Sequence, residues 1–273
     1  MSAGVDYEAE YNNRARVPEN PAIIAGWASD AKAYREAHSS RHTAISYGSG
    51  ERNRIDLFAG DGAGPVVVFI HGGYWQALDG SFFSHLAAGL NAHGIDVAVP
   101  GYNLCPAVSV DAIVGEMRAA ARALAKLGRP LVVSGHSAGG HLAACLLATD
   151  WRAYDTSLPA ELVTGAYAIS GLFDLRPLVG TSINNALKLD EASAGAVSPL
   201  FWKAPARGTL DAVVGANESA EYLRQSRIIV DAWGTGIPTR FATVPDANHF
   251  TAVAPLADPN SPMTLRLKHL AGR

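Results

Sequence analysis

The sequence predicts an α/β fold in which helices cover both faces of a mostly parallel sheet of about eight strands. Short apolar runs alternate with segments of helical periodicity along most of the 273 residues, a pattern typical of parallel strands joined by right-handed crossovers. Two β-rich runs ahead of them flank a polar turn, which predicts an antiparallel hairpin. Because 48% of the residues are hydrophobic and 17% are charged, a single domain over residues 1–273 can bury a large core.

Eight segments have the pattern of β-strands, and the first two form the predicted hairpin. TAISYG (43–48) and RIDLFA (54–59) are separated by the glycine-containing turn SGERN, so these strands are expected to pair antiparallel. Six later apolar runs are predicted to be the other strands, most of them parallel. They span residues 65–70, 95–102, 130–135, 162–170, 210–215 and 237–244.

Helical periodicity occupies most of the intervals between these strands. Helices are predicted over residues 81–94, 109–128 and 219–233, directly after Ser137, and at the C-terminal end. Two stretches lack the alternation. Residues 1–42 form an N-terminal arm, and a proline-containing insertion, about residues 171–208, is predicted to be a small cap with one weak helical patch.

Charge and cysteine content narrow the classes of partner and site. The net charge is −3 and there is no basic run or acidic tail, so neither nucleic acid nor an anionic membrane is an expected partner. Cys105 and Cys145 have no metal-type spacing, which favours a reducing, cytoplasmic compartment. No apolar run has the length of a membrane span, and the first residues lack the features of a signal peptide.

A glycine-flanked serine stands where a predicted strand meets a predicted helix. The stretch VVSGHSAGG, residues 132–140, contains G-x-S-x-G with Ser137 at its centre. At a strand-to-helix turn this pattern is typical of a nucleophile elbow, in which the serine is held above the sheet and Gly135 and Gly139 allow close packing. The alternative is a glycine-rich turn in which Ser137 only caps the helix.

The preceding apolar strand ends in FIHGGYW, residues 69–75. Successive glycines past a strand end leave backbone N–H groups free to bind a developing negative charge. We therefore expect Gly72 and Gly73 to form an oxyanion hole together with the amide of Ala138. The alternative is an ordinary turn between strand and helix.

A serine nucleophile needs a base, and His249 is the candidate because it lies five residues beyond the last strand. An exposed loop histidine is the alternative interpretation. His269 lies too far into the terminal helix, and His141 lies one turn into the helix after Ser137, where packing is expected. His136 and His141 do not form an HExxH zinc motif.

Glu218 is the candidate for the acid that orients this histidine. It follows the strand of residues 210–215 by three positions, at the carboxyl edge of the sheet. Asp211 begins the same strand and is expected at the opposite edge, whereas Asp174 and Asp246 remain rivals. Glu218 could alternatively be a first-turn carboxylate that stabilises a helix N-terminus.

With these residues in place, the chain resembles the kynurenine formamidase-like group of the α/β-hydrolase family. The resemblance extends over almost the whole chain and rests on EYNNRARVP, HGGYW, YNLCP, GHSAGGHLAA, ESAEYLRQS and NHF. It implies a triad of Ser137, Glu218 and His249 with Gly72 and Gly73 in the oxyanion loop. The acid is Glu here, whereas it is Asp in the best-known formamidases.

The expected function is that of a serine hydrolase that removes a small acyl group from an aryl or alkyl ester or from an aryl formamide. No metal and no cofactor are implied, and the expected partners are a small-molecule substrate and a second copy in a homodimer. Four aromatic residues are expected to bind the substrate, with Leu172 adding apolar wall; they are Tyr74, Trp75, Tyr102 and Phe173. The alternative function is a catalytically inactive ligand-binding module on the same scaffold.

Overall fold

A computed structural model describes residues 4–273 and contains one sheet of eight strands. Because each strand coincides with one of the runs rich in Val, Ile, Leu, Phe or Ala, the eight-stranded prediction is confirmed. The strands are β1 (His42–Ser46), β2 (Arg54–Phe58), β3 (Val66–Ile70), β4 (Val97–Pro100), β5 (Leu131–His136), β6 (Val163–Ile169), β7 (Thr209–Gly215) and β8 (Thr239–Val244).

The spatial order of the strands is β1-β2-β4-β3-β5-β6-β7-β8. Strand β2 pairs antiparallel with both β1 and β4, and all strands from β4 to β8 run parallel. The predicted hairpin at the start of a mostly parallel sheet is therefore confirmed. As a result, the loops that follow β3, β5, β6, β7 and β8 all open at one edge of the sheet.

Both faces of the sheet are buried, as the uninterrupted apolar runs require. In β3, Val66, Val68 and Ile70 belong to one hydrophobic cluster, whereas Val67 and Phe69 belong to the other. This alternation follows from the two-residue period of a strand, in which successive side chains point to opposite faces. The sheet thus separates two cores, each covered by its own helices.

Eleven α-helices surround the sheet within residues 4–273. Side chains of α5, α6 and α10 bury one face, and those of α3, α4 and α11 bury the other. The helices are α1 (Tyr7–Tyr11), α2 (Asn13–Arg16), α3 (Asn20–Ala37), α4 (Ala88–Asn91), α5 (Val110–Ala125), α6 (Ala138–Leu147), α7 (Trp151–Tyr154), α8 (Asn184–Leu187), α9 (Glu191–Ala196), α10 (Ala220–Trp233) and α11 (Pro262–Leu270).

The single helix predicted over residues 81–94 is wrong. The structure has two 3₁₀ turns, Gly80–Phe82 and Ser84–Ala87, followed by the one-turn α4. Here the chain packs so closely that a Cβ on Gly89 would overlap the carbonyl oxygen of Leu256. Apolar periodicity marked the buried face correctly, but tertiary packing broke the continuous helix into turns.

The two stretches without alternation acquire structure from their surroundings. The N-terminal arm contains α1, α2 and the 18-residue α3, which the sequence pattern had not indicated. The insertion of residues 171–208 contains the expected helical patch as α8 and additionally α9. The division of the chain into a single domain, an arm and a cap stays a prediction.

Candidate active site

Ser137 occupies the sharp turn between β5 and α6. Its backbone has φ 57° and ψ −119°, a left-handed conformation that costs a non-glycine residue on the order of 1–3 kcal/mol and is concentrated at functional sites. A Cβ on Gly139 would overlap the carbonyl oxygen of Ile70, and one on Gly135 would overlap that of Gly139. The two flanking glycines therefore permit the close approach that holds the serine at the carboxyl edge of the sheet.

His249 and Glu218 form a buried pair at the same edge. The Nδ1–H of His249 donates to Oε2 of Glu218 over 2.7 Å. The other carboxylate oxygen, Oε1, accepts the Ser170 hydroxyl at 2.5 Å and the Gly215 amide at 2.7 Å. Because each carboxylate oxygen is engaged and the Glu218 side chain has no exposed surface, the imidazole is held in one orientation with Nε2 free.

The three aspartates considered as alternative acids are occupied elsewhere or exposed. Asp174 forms a bidentate pair with Arg176, with both distances 2.9 Å. Asp211 binds Arg266 at the start of β7, which is the opposite edge. Asp246 is exposed. Of these carboxylates and Glu218, Glu218 is the one that contacts His249.

The other histidines weighed as bases have separate contacts. Nε2 of His136 donates to the backbone oxygen of His249 over 2.8 Å, so it holds the backbone of that histidine in place. Burial lowers the pKa of His136 well below its ordinary value, which keeps it neutral. His141 donates to the Val197 oxygen at 2.7 Å, and His269 is exposed on α11.

The glycine loop after β3 lies against the serine. A Cβ on Gly72 would be 3.0 Å from that of Ser137, and Gly73 has φ 114°. None of the backbone hydrogen bonds found among residues 4–273 uses the amide of Gly72, Gly73 or Ala138. Free amides beside the serine are the arrangement that an oxyanion hole requires.

His71 and Tyr102 support this loop from behind. Nδ1 of His71 donates to the Gly72 oxygen at 2.7 Å, and the Tyr102 hydroxyl donates to the His71 oxygen at 2.9 Å. The two rings stack with centroids 4.1 Å apart, and burial lowers the pKa of His71 to about 4. Beyond them, Tyr74 and Trp75 have positive φ, 49° and 55°, so the loop is strained where it passes the serine.

A cavity of about 420 Å³ opens onto Ser137 and His249. Its size lies in the range of small-molecule sites. The insertion contributes Ser182 and Ile183, whereas the N-terminal arm contributes a larger part of the wall. The lining residues of the arm are Tyr11, Asn12, Asn13, Arg14, Ile24 and Trp27.

Comparison with known proteins identifies the family to which this chain belongs. A family model for the alpha/beta hydrolase fold, Abhydrolase_3, matches residues 67–219. The chain belongs to the α/β-hydrolase family. That match runs from β3 to Glu218 and so includes the glycine loop and the serine turn.

Kynurenine formamidases are among the relatives of this hydrolase. The chain is 31% identical over 241 residues to the kynurenine formamidase of Danio rerio, covering 84% of this chain and 81% of that protein. It is 30% identical over 244 residues to the enzyme of Drosophila melanogaster, covering 83% and 80% of the two chains. These similarities identify the chain as a hydrolase enzyme of the α/β fold.

Solved structures agree on the fold. A protein from Silicibacter sp. TM1040 that is provisionally named a thioesterase has a TM-score of 0.87 and 36% identity, over 96% of this chain and 98% of its own. An esterase from Pyrobaculum calidifontis has a TM-score of 0.71 and 18% identity, over 92% and 93% of the two chains. The latter similarity concerns the fold alone.

Three of the four aromatic residues predicted to bind substrate do not line the cavity of this hydrolase. Tyr74 does line it, but Trp75, Tyr102 and Phe173 have no exposed surface and pack in the core. Leu172 is buried in the same way. For these residues the prediction is wrong, because position next to a strand end did not reveal that their rings turn inward to support the loops.

A hydrogen-bonded cluster that no sequence pattern predicted closes one side of the cavity. Tyr74 donates to the Tyr11 backbone oxygen at 2.6 Å, and its hydroxyl lies 2.7 Å from that of Tyr222. Asn13 donates to Tyr222 at 2.9 Å. The Tyr222 ring contacts the His249 ring, with centroids 4.5 Å apart. The polar motif EYNNRARVP contains Tyr11 and Asn13, but the motif does not indicate which part of the molecule the arm would contact.

Among residues 4–273, no group of three His, Cys, Asp or Glu side chains is arranged to hold a metal ion. None of the helices described there combines the length and apolar character that crossing a membrane requires. The cytoplasmic location and the homodimer stay predictions.

Proposed function

We propose that this hydrolase cleaves a small acyl group from an aryl or alkyl ester or an aryl formamide, with Ser137 as nucleophile, His249 as base and Glu218 as the acid that orients it. The observation that carries the proposal is the 2.7 Å hydrogen bond from His249 to Glu218 at a cavity that both Ser137 and His249 line. A nucleophile, a base and a third group that orients the base are the required parts of such a site.

In the proposed reaction, Nε2 of His249 takes the Ser137 proton as Oγ attacks the carbonyl carbon. The free amides of Gly72 or Gly73 and of Ala138 stabilise the oxyanion. His249 then returns the proton to the leaving oxygen or nitrogen as its bond to carbon breaks, which leaves an acyl group on Ser137. Water, deprotonated by His249, releases that group as the acid. These steps require no metal or cofactor.

Two further observations support a small acyl group and a compact leaving group. The cavity of about 420 Å³ has room for a ring with short substituents, and Trp27, Tyr74 and Phe250 give it aromatic walls. The relatives named kynurenine formamidase favour an aryl formamide, and the structural relative provisionally named a thioesterase favours activated esters. Both classes use the same serine chemistry.

The direct test combines covalent labelling with a substrate panel. A fluorophosphonate should label one site per chain, Ser137, with parallel loss of activity. The panel consists of N-formylkynurenine, other aryl formamides and aryl acetates through octanoates, and we expect rates to fall as the acyl chain lengthens. Activity that persists after complete labelling would contradict the role of Ser137. A protein that does not react with the fluorophosphonate and, before any treatment, turns over none of the substrates would favour the binding module.

A further inference from the structure

The proton count in the tyrosine cluster determines the orientation of the Asn13 amide. Tyr74 has one hydroxyl proton and gives it to the Tyr11 backbone oxygen, which can only accept. The 2.7 Å contact between the Tyr74 and Tyr222 hydroxyls must then use the proton of Tyr222. With both phenolic protons committed, the group 2.9 Å from Tyr222 on Asn13 has to be a donor, the NH₂.

The same count leaves the carbonyl oxygen of Asn13 without a partner. The NH₂ group faces Tyr222 and, more weakly at 3.4 Å, Tyr74. No hydrogen bond among residues 4–273 uses Oδ1, although the residue is only 5% exposed and lines the cavity. Oδ1 does not belong to the fully buried side-chain atoms without a partner among the described residues, so it is open to the cavity that Asn13 lines. It can therefore accept a hydrogen bond from a molecule bound there.

A single side chain, that of Tyr222, connects Asn13 to the proposed catalytic residue His249. Tyr222, to which Asn13 donates, packs on the His249 ring with centroids 4.5 Å apart, and Asn13 lines the same cavity as Ser137 and His249. Since the carbonyl oxygen of a bound substrate would face the amides of the glycine loop, a side-chain acceptor on the arm is available for the leaving group. The amides of Gly72, Gly73 and Ala138, which no backbone hydrogen bond among residues 4–273 uses, can only donate, so they can serve the carbonyl oxygen but cannot accept an N–H.

We propose that the Oδ1 of Asn13 accepts the N–H of the scissile bond of an aryl formamide, which makes Asn13 the residue that favours a formamide over the matching ester. This inference rests on the proposed function. It extends that function from a choice of two substrate classes to one preferred class.

The chemistry of amide cleavage explains why such an acceptor matters. In the tetrahedral intermediate the nitrogen lone pair must point to Nε2 of His249, which protonates it before the C–N bond breaks. The single N–H of a secondary formamide then points away from His249 and needs an acceptor. An ester oxygen has no hydrogen there, so the same acceptor cannot assist an ester.

Three substrates with one acyl group and one ring isolate this contact. Formanilide has the N–H, N-methylformanilide replaces it with a methyl group, and phenyl formate has oxygen in that position. With the unaltered enzyme we expect kcat/KM for formanilide to exceed that for N-methylformanilide by about 10- to 100-fold, the effect of one buried hydrogen bond made in the transition state. Equal values would overturn the inference without any variant.

The variant Asn13→Leu keeps the volume and removes the amide. We expect it to lower kcat/KM for formanilide by about 10- to 100-fold more than kcat/KM for phenyl formate and N-methylformanilide, so that the preference for formanilide disappears. The matched control is Asn20→Ala. Asn20 is also a buried arm asparagine, which donates to the Arg14 and Val17 oxygens, but it does not line the cavity. The Asn20→Ala variant should change kcat/KM for all three substrates by the same factor.

The outcomes separate this inference from the proposed function. If Asn13→Leu lowers formanilide and phenyl formate by the same factor, or if the unaltered enzyme cleaves phenyl formate but not formanilide, the role of Asn13 is overturned and the serine hydrolase stands. If fluorophosphonate-labelled enzyme cleaves all three substrates unchanged, the proposed function itself fails. A circular dichroism melt of each variant separates a changed preference from a loss of folded protein.

Discussion

Two regions of the molecule form the cavity, and they obtain their geometry in different ways. The loops at the carboxyl edge of the sheet supply Ser137, Glu218 and His249, each within a few residues of its own strand. The N-terminal arm supplies Tyr11 and Asn13, which are held by side chains about 210 positions away, on α10. The difference indicates that the positions of the three proposed catalytic residues are encoded locally, whereas one wall of the cavity depends on docking of a remote segment.

The largest effect is expected at the sheet edge. Ser137→Ala should lower kcat by about six orders of magnitude, because the nucleophile, base and acid act as one unit. The measurement is steady-state hydrolysis of phenyl acetate. Retention of more than a few per cent of activity would show that Ser137 is not the nucleophile. The loops at the sheet edge would then not supply the complete set of reacting groups.

A smaller loss is expected for the acid. Glu218→Gln should lower kcat by about four orders of magnitude, because an amide can hold His249 in the wrong tautomer and cannot stabilise its charged form. Asp246→Asn is the matched control, since Asp246 is exposed and does not contact His249. The proposed assignment predicts nearly full activity for this control. If Asp246→Asn instead lost this activity and Glu218→Gln kept it, Asp246 would be the acid.

Acid should destabilise the folded protein through three histidines of the sheet-edge region, which stand next to Gly72 or within four residues of Ser137. His71, His136 and His141 are buried, and burial lowers their pKa values, to about 4 for His71 and His141. In the unfolded chain each titrates near 6.5, so below that pH the unfolded state binds more protons than the native state. The free energy of unfolding is therefore complete above about pH 6.5 and should fall, by roughly 1.4 kcal/mol per pH unit for each histidine, as the pH decreases towards about 4.

Urea unfolding at several values between pH 7 and pH 4.5 measures this slope. His141→Gln provides the control, because its amide can still donate to the Val197 oxygen that His141 binds at 2.7 Å but does not titrate. The slope should decrease by the contribution of one proton. If the free energy of unfolding does not change between pH 7 and pH 4.5, these histidines must take up protons in the folded protein as readily as in the unfolded chain.

The smallest of these effects is expected for docking of the arm. Tyr11→Phe removes the hydroxyl that donates to Glu221 at 2.7 Å and accepts from Gln225 at 2.8 Å. Because Glu221 keeps its pair with Arg224 and Gln225 still donates to the Asp174 oxygen, the loss should cost about 0.5–1.5 kcal/mol. Hydrogen exchange should accelerate in residues 7–16 first. Tyr7→Phe is the control on the same helix, because Tyr7 is 37% exposed and should exchange unchanged. Equal protection in both variants would show that this hydroxyl does not hold the arm.

Several elements show where sequence patterns ceased to be informative. The eight strands were predictable because buried parallel strands are uninterrupted apolar runs. The helix predicted over residues 81–94 was wrong, since periodicity marks a buried face but not whether the backbone has room for continuous helical turns. Helix α3 was missed, because few of its apolar residues are buried and the pattern is correspondingly weak.

For the candidate site, the sequence by itself determined the strand ends at which Ser137, Glu218 and His249 stand, because apolar strand runs and glycine spacing are local properties. Only the tertiary structure decided that Glu218 and not Asp174 meets His249, and that Trp75, Tyr102 and Phe173 face the core. The tertiary structure also decided that the N-terminal arm lines the same cavity as Ser137. These outcomes depend on contacts between distant segments, and no local pattern records which side chains will meet after the sheet has assembled.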